Sequence, residues 1–266
     1  MQLRNKVCVV TGASSGIGRQ TALELAAAGA VVCAVARREE RLETLMAECQ
    51  GDPHSYVVAD VSKRDQVKNL AEHVRRTHRR CDVLVNNAGY SGDHLPLGDP
   101  GAVAEIESIM ATNFFGAVYC TAELLSLLEE SAPSTIVNVG SMAGRIPVGG
   151  SSTYTASKFA LVGWSEALGY ELATRDICVS LVLPGLIPTE GFPQTDLAAD
   201  PLLRRILGTE RQVADSILDT IARGRAERTV PRWYYLVQAP RLVVPPLYRY
   251  ALRKVSAKYA RHRPLV

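Results

Sequence analysis

The sequence predicts an α/β fold built on a doubly wound parallel sheet of seven strands, with helices on both faces. Short apolar runs rich in β-branched residues alternate with helix-forming stretches, which is the pattern of parallel strands joined by crossover helices. The first apolar run leads straight into a glycine-rich turn, and polar residues close several later runs. The 266 residues, 47% of them hydrophobic, suit one domain, which we expect over residues 1–231 with a basic, aromatic extension over 232–266.

The predicted strands are short and continuously apolar, as expected of strands that are buried on both faces of a parallel sheet. They cover residues 6–11, 31–36, 55–59, 82–85, 135–139, 177–183 and 228–230. The predicted helices cover residues 20–28, 39–48, 62–78, 105–130, 154–174 and 210–223. Residues 186–206 show no clean period, so no element is predicted there. In a sheet of this kind, ligands bind at the carboxyl ends of the strands.

The glycine-rich turn after the first strand predicts a dinucleotide site of the Rossmann type. Its glycines are spaced Gly12-x-x-x-Gly16-x-Gly18 between a strand and a helix. Glycine permits the tight turn and the close approach of pyrophosphate, and the helix N-terminus supplies free N–H groups and a positive dipole end. The cofactor-binding candidates in this turn are Gly12, Ser14, Ser15, Gly16, Ile17 and Gly18.

Two arginines at the end of the second strand favour NADP(H) over NAD(H). An acidic residue there would bind the ribose 2′-hydroxyl of NAD, but Ala36 is followed by Arg37 and Arg38. Guanidinium groups suit a 2′-phosphate through charge-assisted bidentate bonds. The alternative interpretation is that both arginines only begin the polar face of the next helix.

Tyr154 and Lys158 have the spacing of an acid–base pair. Residues four apart lie on one face of a helix, so the ammonium group would lie near the phenol. A free phenol has a pKa of ~10, and a nearby cation lowers it. We therefore interpret Tyr154 as a general acid/base whose pKa Lys158 lowers.

Cysteine and histidine usage gives no indication of a metal site. The six cysteines are scattered and form no Cys-x-x-Cys pair, and the five histidines have no metal-ligand spacing. We expect buried free thiols of a reducing compartment and a cytoplasmic protein. No secretory signal precedes the first strand, and no charge-free run reaches the ~18 residues of a membrane span.

The C-terminal region is strongly basic although the net charge is only +3. Residues 223–266 hold eleven Lys and Arg against one acid, Glu227, which leaves −7 on the rest of the chain. Apolar and aromatic residues alternate with these bases, and three prolines forbid one continuous helix. We expect this tail either to lie on an anionic membrane surface or to fold back over the substrate pocket or a neighbouring subunit. No nucleic-acid motif accompanies it.

In their order and spacing, these residues resemble the short-chain dehydrogenase/reductase family, over about residues 5–231. The matching motifs are Thr11-Gly12-x-x-x-Gly16-x-Gly18, Asp60, Asn86-Asn87-Ala88-Gly89, Asn113, Ser141, Tyr154-x-x-x-Lys158 and Pro184-Gly185-x-x-x-Thr189. After about Pro231 the chain departs from the family pattern in a long basic tail.

The resemblance implies roles for individual residues. Catalysis would fall to Tyr154 as the proton-exchanging group, Ser141 as a hydrogen-bond donor to the substrate oxygen, Lys158 on the nicotinamide ribose, and Asn113 as the residue that kinks its helix and holds a proton-relay water. Asp60 would meet the adenine. The cofactor cleft would further include Val61, Asn87, Ala88, Gly89, Pro184, Gly185 and Thr189, the last contacting the nicotinamide carboxamide.

These expectations combine into an NADP(H)-dependent oxidoreductase that interconverts a ketone or aldehyde and an alcohol by hydride transfer. The alternatives are a catalytically silent nucleotide sensor and a membrane-associated scaffold, which an intact active site argues against. The expected pocket positions are mostly apolar and favour a hydrophobic substrate: Tyr90, Leu95, Ile146, Val148, Leu186 and Phe192. His94 is either a substrate-facing residue or a solvent-exposed loop histidine. The resemblance also implies a homodimer or homotetramer formed through helices 105–130 and 155–174.

Overall fold

The fold is a seven-stranded, all-parallel sheet in the computed structural model, which describes residues 1–51, 53–147, 149–190 and 207–259, with the backbone alone at residues 242 and 255–259. The sheet order is β3-β2-β1-β4-β5-β6-β7. This order confirms the predicted doubly wound sheet. The strands are β1 (Val7–Thr11), β2 (Val31–Ala36), β3 (Ser55–Val58), β4 (Val83–Asn86), β5 (Ser134–Val139), β6 (Ile177–Pro184) and β7 (Glu227–Val230).

Nine α-helices are present in the described part of the chain, and seven of them correspond to the six predicted helices. They are α1 (Gly16–Ala27), α2 (Glu39–Glu48), α3 (Arg64–Thr77), α4 (Ala102–Met110), α5 (Gly116–Glu130), α6 (Ser152–Leu172), α7 (Glu210–Arg223), α8 (Tyr235–Val243) and α9 (Pro245–Tyr259). The single helix predicted over 105–130 is divided by a π-helical turn, Ala111–Phe115. Helix α1 starts inside the glycine turn, four residues earlier than predicted, so the turn itself supplies the helix N-terminus.

The core has two layers because successive strand residues point to opposite faces of the sheet. In β1, Cys8 and Val10 pack on the face covered by α1 and α7, whereas Val9 packs on the face covered by α3 and α5. All five residues of β1 are buried. The central strand is therefore buried on both faces of the sheet, and this burial explains its continuous apolar run, as predicted.

The order in which strands are added to the sheet reverses beside β1, and this switch point is where a ligand crevice is expected. Strand β1 pairs with β2 on one side and with β4 on the other, with Val10 opposite both Ala34 and Val85. Ligands of open α/β sheets bind outside the carboxyl ends of the strands at such a switch point. The glycine turn after β1 and the polar loop after β4 both emerge there.

Helix α5 and its preceding turns lie against the sheet. The stretch Ala102–Glu130 is long and apolar enough to cross a membrane by length and composition. In the fold it is a packing helix, because Cys120, Leu124 and Leu127 are buried in the core on the α3 side of the sheet.

The basic tail forms two short helices, as the prolines predict. Helix α8 ends at Val243, and Pro245 begins α9 after a one-residue break. Pro240 lies inside α8 and cannot donate to the carbonyl of Leu236. Leu236 is exposed, so solvent can satisfy that carbonyl and the helix continues.

Candidate active site

The carboxyl ends of the central strands open into one cavity of about 570 Å³. The cavity is continuous from Arg37 and Arg38 at one end to Tyr154 and Lys158 at the other. The structure brings almost all the predicted site residues onto its wall: Gly12, Ser14, Ser15, Gly16, Ile17, Arg37, Arg38, Asp60, Val61, Asn87, Ala88, Gly89, Ser141, Tyr154, Lys158, Pro184, Gly185 and Thr189. Gly18 and Asn113 are not on the wall. Each contacts residues of the wall instead, as described below.

Close backbone approach explains the glycines of the turn. Gly12 has a φ of +67°, and a Cβ there would lie 2.9 Å from the Cα of Ala88. A Cβ on Gly18 would overlap the Asn87 amide and the Gly12 carbonyl oxygen. Any side chain at either position would push the turn away from the loop after β4. Gly18 therefore acts through packing, whereas Gly12 also forms part of the cavity wall.

Asn87 and Thr11 tie the glycine turn to the loop after β4. The Asn87 side chain donates to the carbonyl oxygen of Thr11 at 2.9 Å. The hydroxyl of Thr11 in turn accepts from the backbone N–H groups of Asn87 at 3.0 Å and Ala88 at 3.1 Å. This reciprocal bonding fixes the floor of the crevice between β1 and β4.

A carboxylate of the chain, that of Glu190, lies beside the arginine end of the cavity. Arg38 Nη2 donates to the hydroxyls of Ser14 at 3.0 Å and Ser15 at 2.8 Å, while Nη1 donates to Glu190 at 2.7 Å. Arg37 is exposed and lines the same cavity. The two arginines thus occupy different positions: Arg38 is held against the glycine turn, and Arg37 extends toward solvent.

Asp60 lines the same end of the cavity through the loop after β3. Its carboxylate accepts from the backbone N–H of Ser62 at 2.9 Å. Its own backbone N–H donates to Gln66 at 2.8 Å. These bonds hold the loop at the cavity wall, and the predicted contact with adenine stays a prediction.

Tyr154 and Lys158 face the other end of the cavity from the first turns of α6. Both side chains are buried, and Lys158 Nζ lies 5.7 Å from the centre of the Tyr154 ring. Lys158 donates to the carbonyl oxygen of Val139 at 3.0 Å. The Ser141 side chain hydrogen-bonds Tyr154 and also accepts from the backbone of Ala143 at 3.1 Å. Two hydroxyls and an ammonium group therefore converge at the end of β5.

Burial shifts the two titratable groups in opposite directions. It raises the pKa of Tyr154 to about 12, and the hydrogen bond from Ser141 acts against that rise. It lowers the pKa of Lys158 to about 8. The sequence predicts a lowered pKa for Tyr154, but in this structure the pKa is raised, because burial penalises the phenolate more than the hydrogen bond with Ser141 favours it.

Asn113 lies in the π-helical turn and holds the loop after β4. Its side-chain oxygen accepts from the backbone N–H of Tyr90 at 3.0 Å. Its amide donates to the carbonyl of Tyr90 and to the hydroxyl of Ser157, each at 3.0 Å. Both amide hydrogens are therefore engaged, and Asn113 links the loop to α6. Its predicted role with a relay water stays a prediction.

The structure also shows wall residues that the sequence did not single out. Tyr234 and Val237 come from the basic tail and line the cavity, and the Tyr234 ring lies over Gly185. Arg241 stacks 4.9 Å above the Phe159 ring. The first part of the tail therefore folds back over the pocket, which was one of the two expectations for it. The cavity wall therefore includes residues on both sides of the domain boundary expected at residue 231.

The expected pocket positions divide into three groups. Tyr90, Ile146 and Leu186 line the cavity. Leu95 and His94 do not line it. Val148 and Phe192 lie outside the described residues.

A cysteine–histidine cluster lies away from this cavity and was not indicated by sequence spacing. The possible ligand atoms of Cys33, His73 and His78 lie within 4.8 Å of one another. The Ser55 hydroxyl lies among them, 2.7 Å from His78 Nε2 and 3.3 Å from His73 Nε2. Burial raises the pKa of the Cys33 thiol to about 11, which disfavours the thiolate that a metal needs. All six cysteines are free, and four are buried.

An open α/β sheet with a glycine turn, and with a buried tyrosine–lysine pair in the same cavity, defines an oxidoreductase of the dinucleotide-binding class. Residues 6–198 match the family model described as short chain dehydrogenase. The chain belongs to this family.

The most similar proteins include enzymes with named substrates. The chain is 36% identical over 227 residues to a 3-oxoacyl-(acyl-carrier-protein) reductase of Thermotoga maritima, covering 82% of this chain and 91% of that protein. It is 34% identical over 263 residues to 11-beta-hydroxysteroid dehydrogenase A of Arachis hypogaea, covering 93% and 74%. The aldohexose dehydrogenase structure of Thermoplasma acidophilum shares the fold, with a TM-score of 0.72 at 24% identity and coverage of 86% and 93%.

Proposed function

We propose that this protein is an NADP(H)-dependent oxidoreductase that interconverts a ketone or aldehyde and an alcohol, with Tyr154 as general acid/base. One observation supports this most directly. Buried Tyr154 and Lys158 and partly buried Ser141 face the same continuous cavity as the glycine turn and the arginine end. A catalytically silent nucleotide sensor would not need this cluster.

The cavity fits a nicotinamide dinucleotide. The turn at Gly12 is a cradle that a Cβ would fill, and it leads into the N-terminus of α1, where phosphate binds readily. Arg37 and Arg38 would hold the 2′-phosphate, and Lys158 would hold the ribose at the opposite end. The bound cofactor would supply or accept the hydride.

The protein's own groups would handle the proton and the oxygen charge. Because burial raises the pKa of Tyr154 to about 12, the phenol is a proton donor at neutral pH, which is the form that carbonyl reduction uses. Ser141 would donate a second hydrogen bond to the same substrate oxygen. Two fixed donors at an oxygen that gains charge stabilise the transition state electrostatically.

The substrate side of the cavity favours a hydrophobic carbonyl compound or secondary alcohol. Its wall there includes the apolar groups of Met142, Ile146, Leu186 and Val237. The names of the relatives, an oxoacyl reductase and a hydroxysteroid dehydrogenase, describe carbonyl and alcohol groups on large apolar bodies.

The experiment is a panel of ketones and alcohols with NADPH and NADP⁺, followed by absorbance, with the Tyr154→Phe variant as a blank. Activity equal in both proteins would contradict the proposed role of Tyr154.

The exposed apolar surface of the long helices supports a homodimer or homotetramer. Val103 on α4, Phe115 in the π turn and Tyr170 on α6 are exposed. The Phe114 and Trp164 rings lie 6.1 Å apart, which joins the π turn to α6 as one surface. Sedimentation equilibrium would return a multiple of 28.8 kDa; a monomer mass at all concentrations would contradict this part of the proposal.

The outer part of the tail supports peripheral membrane contact in a cytoplasmic protein. Six free cysteines suit a reducing compartment. Large apolar side chains on α8 and α9 remain exposed, including Leu236, Val243 and Leu247. They alternate with arginine and lysine in sequence, a combination that suits the interface of an anionic bilayer.

A further inference from the structure

The negatively charged carboxylate of Glu190 forms ion pairs with two arginines at the arginine end of the cavity. Its carboxylate pairs with Arg38 at 2.7 Å and also with Arg41. Arg38 comes immediately before α2, and Arg41 lies in its first turn. Glu190 follows Thr189 after β6, so a residue from the far side of the switch point reaches across to α2.

The groups around Glu190 form a set that would suit a phosphate. Arg38 donates to the hydroxyls of Ser14 and Ser15 at the same time as it binds Glu190. Ser14, Ser15, Arg41 and Glu190 line one small depression beside the main cavity. The carboxylate contacts two guanidinium groups, and one of these also binds two hydroxyls. Such a set of donors resembles the environment of a bound phosphate group.

We propose that the Glu190 carboxylate is a built-in competitor for the 2′-phosphate of NADP(H), and that it therefore sets how strongly the protein discriminates NADP(H) from NAD(H). This inference rests on the proposed cofactor preference. A carboxylate carries one charge, whereas a phosphate monoester carries about −1.5 to −2 and three acceptor oxygens. The 2′-phosphate would therefore displace Glu190 rather than share the site with it.

One observation favours this competition and a second one limits its strength. The two arginines hold the pKa of Glu190 below its usual value, so the carboxylate is charged at neutral pH and pairs with them. Its side chain is 50% exposed, and exposed ion pairs are weak. The competitor is therefore strong enough to reduce affinity and weak enough to be released by the cofactor.

Displacement of Glu190 would also affect the cofactor cleft, because the preceding residue, Thr189, is part of its wall. Thr189 lines the cavity, and a Cβ built on Gly16 would lie 3.4 Å from the Thr189 Cβ. Thr189 thus lies against the glycine turn while Glu190 is bound to α2. NADP(H) would free this residue pair, whereas NAD(H) has no group that would do so.

The test is a Glu190→Gln variant of the full chain, which keeps the shape and removes the charge. Calorimetric titrations would compare adenosine 2′,5′-bisphosphate with AMP, which lacks the 2′-phosphate, and then NADPH with NADH. We expect about three- to tenfold tighter binding of both 2′-phosphate ligands, the range that weak exposed ion pairs imply. AMP and NADH should change less than twofold. Glu129→Gln is the matched control, since Glu129 pairs with Arg175 on another surface.

Unchanged affinity of the variant for adenosine 2′,5′-bisphosphate would overturn the inference. Equal weakening of all four ligands would also overturn it, because Glu190 would then help to hold the cofactor instead of competing with it. The proposed cofactor preference fails by a different result, namely wild-type protein that binds NADH as tightly as NADPH. The two failures are therefore distinguishable within one set of titrations.

Discussion

Tyr154 and Lys158 show at the scale of single residues how one environment sets two opposite shifts. Both are buried on the first two turns of α6, and burial disfavours the charged form of each. The acid therefore holds its proton more tightly, and the base holds its proton more loosely. Lys158 remains mostly protonated at neutral pH because its lowered pKa is about 8, so its charge is available to a cofactor ribose.

Tyr154→Phe is expected to abolish turnover and to leave cofactor affinity within about twofold. The substitution removes the hydroxyl that exchanges the proton and keeps the ring that fills the site. General acid–base groups contribute ~10²–10⁴-fold to rate, so a loss of at least 100-fold is expected. Steady-state rates and NADPH titration would measure the two quantities. Residual activity within tenfold of the wild type would refute the role.

Because the pKa of Lys158 is lowered, we expect the free energy of unfolding to change with pH in the alkaline range. Between about pH 8, its folded value, and 10.5, its ordinary value, the unfolded chain holds a proton that the folded protein has released. Stability therefore rises with pH across that window, whereas the raised pKa of Tyr154 lowers stability only above about pH 10. Relative to Lys158→Met, the wild type should gain about 2 kcal/mol of unfolding free energy from pH 8 to 9.5.

Urea unfolding of both proteins at several pH values would measure this difference. The buried cysteines titrate in both proteins, so their contribution cancels. A difference that stays constant with pH would show that Lys158 is not titrating in this range.

At the scale of elements, the glycine turn is a part of the site whose form follows from the sequence. The spacing of Gly12, Gly16 and Gly18 predicts a tight turn against a neighbouring backbone, and the structure shows that backbone to be the loop after β4. The sequence could not show that Gly18 serves packing alone, because that depends on Asn87, which is distant in the chain. The local sequence pattern therefore predicts the turn, whereas contacts with residues distant in the chain determine the role of each glycine.

Gly18→Ala should destabilise the protein by about 1–3 kcal/mol, the usual cost of overpacking. The added methyl group would meet the Asn87 amide and the Gly12 carbonyl, and neither can move without breaking the bonds that hold the crevice floor. Gly169→Ala in α6 is the matched control. A Cβ there makes only an ordinary contact, 3.8 Å from Val179, so higher helix propensity should leave stability unchanged or raise it by up to ~1 kcal/mol. Equal melting temperatures for both variants would contradict this account.

The π-helical turn shows where prediction from sequence stops at this scale. The sequence over 105–130 predicts one helix, whereas the structure interrupts it with a wider turn at Ala111–Phe115. The family resemblance implies a kink at Asn113, and the structure places Asn113 inside the π turn. The bonds from Asn113 to Tyr90 and Ser157 join segments that are far apart in sequence, so the cause of the irregularity is tertiary.

For the whole molecule, sheet order and the position of the crevice follow from the alternation of strands and helices, but the extent of the domain does not. The composition of the tail separates it from the preceding residues, and a boundary at 231 is the natural prediction. In the structure Tyr234 is buried against Gly185, and Val237 reaches the cavity. A burial that depends on one aromatic ring over one glycine has no local signature.

The two halves of the tail should therefore behave differently toward a membrane. Helix α8 contributes to the cavity wall, whereas α9 is the more distal helix, and Arg249, Arg253 and Lys254 belong to it. Each basic residue near an anionic surface adds roughly 1 kcal/mol. For the proposed membrane contact we therefore expect α9 to supply the electrostatic part, and a chain that stops after Val244 would keep the wall intact while removing that part.

Co-sedimentation with vesicles is the measurement for this last prediction. The full chain should bind vesicles rich in anionic lipid, release them as salt increases, and bind neutral vesicles weakly. Replacing Arg249, Arg253 and Lys254 by glutamine should weaken binding to anionic vesicles by more than tenfold, since three charges correspond to about 3 kcal/mol. Replacing Lys68, Arg75 and Arg76 of α3 by glutamine removes the same three charges and should have a much smaller effect. If the full chain stays in the supernatant with anionic vesicles at low salt, the tail serves the fold and the cavity alone.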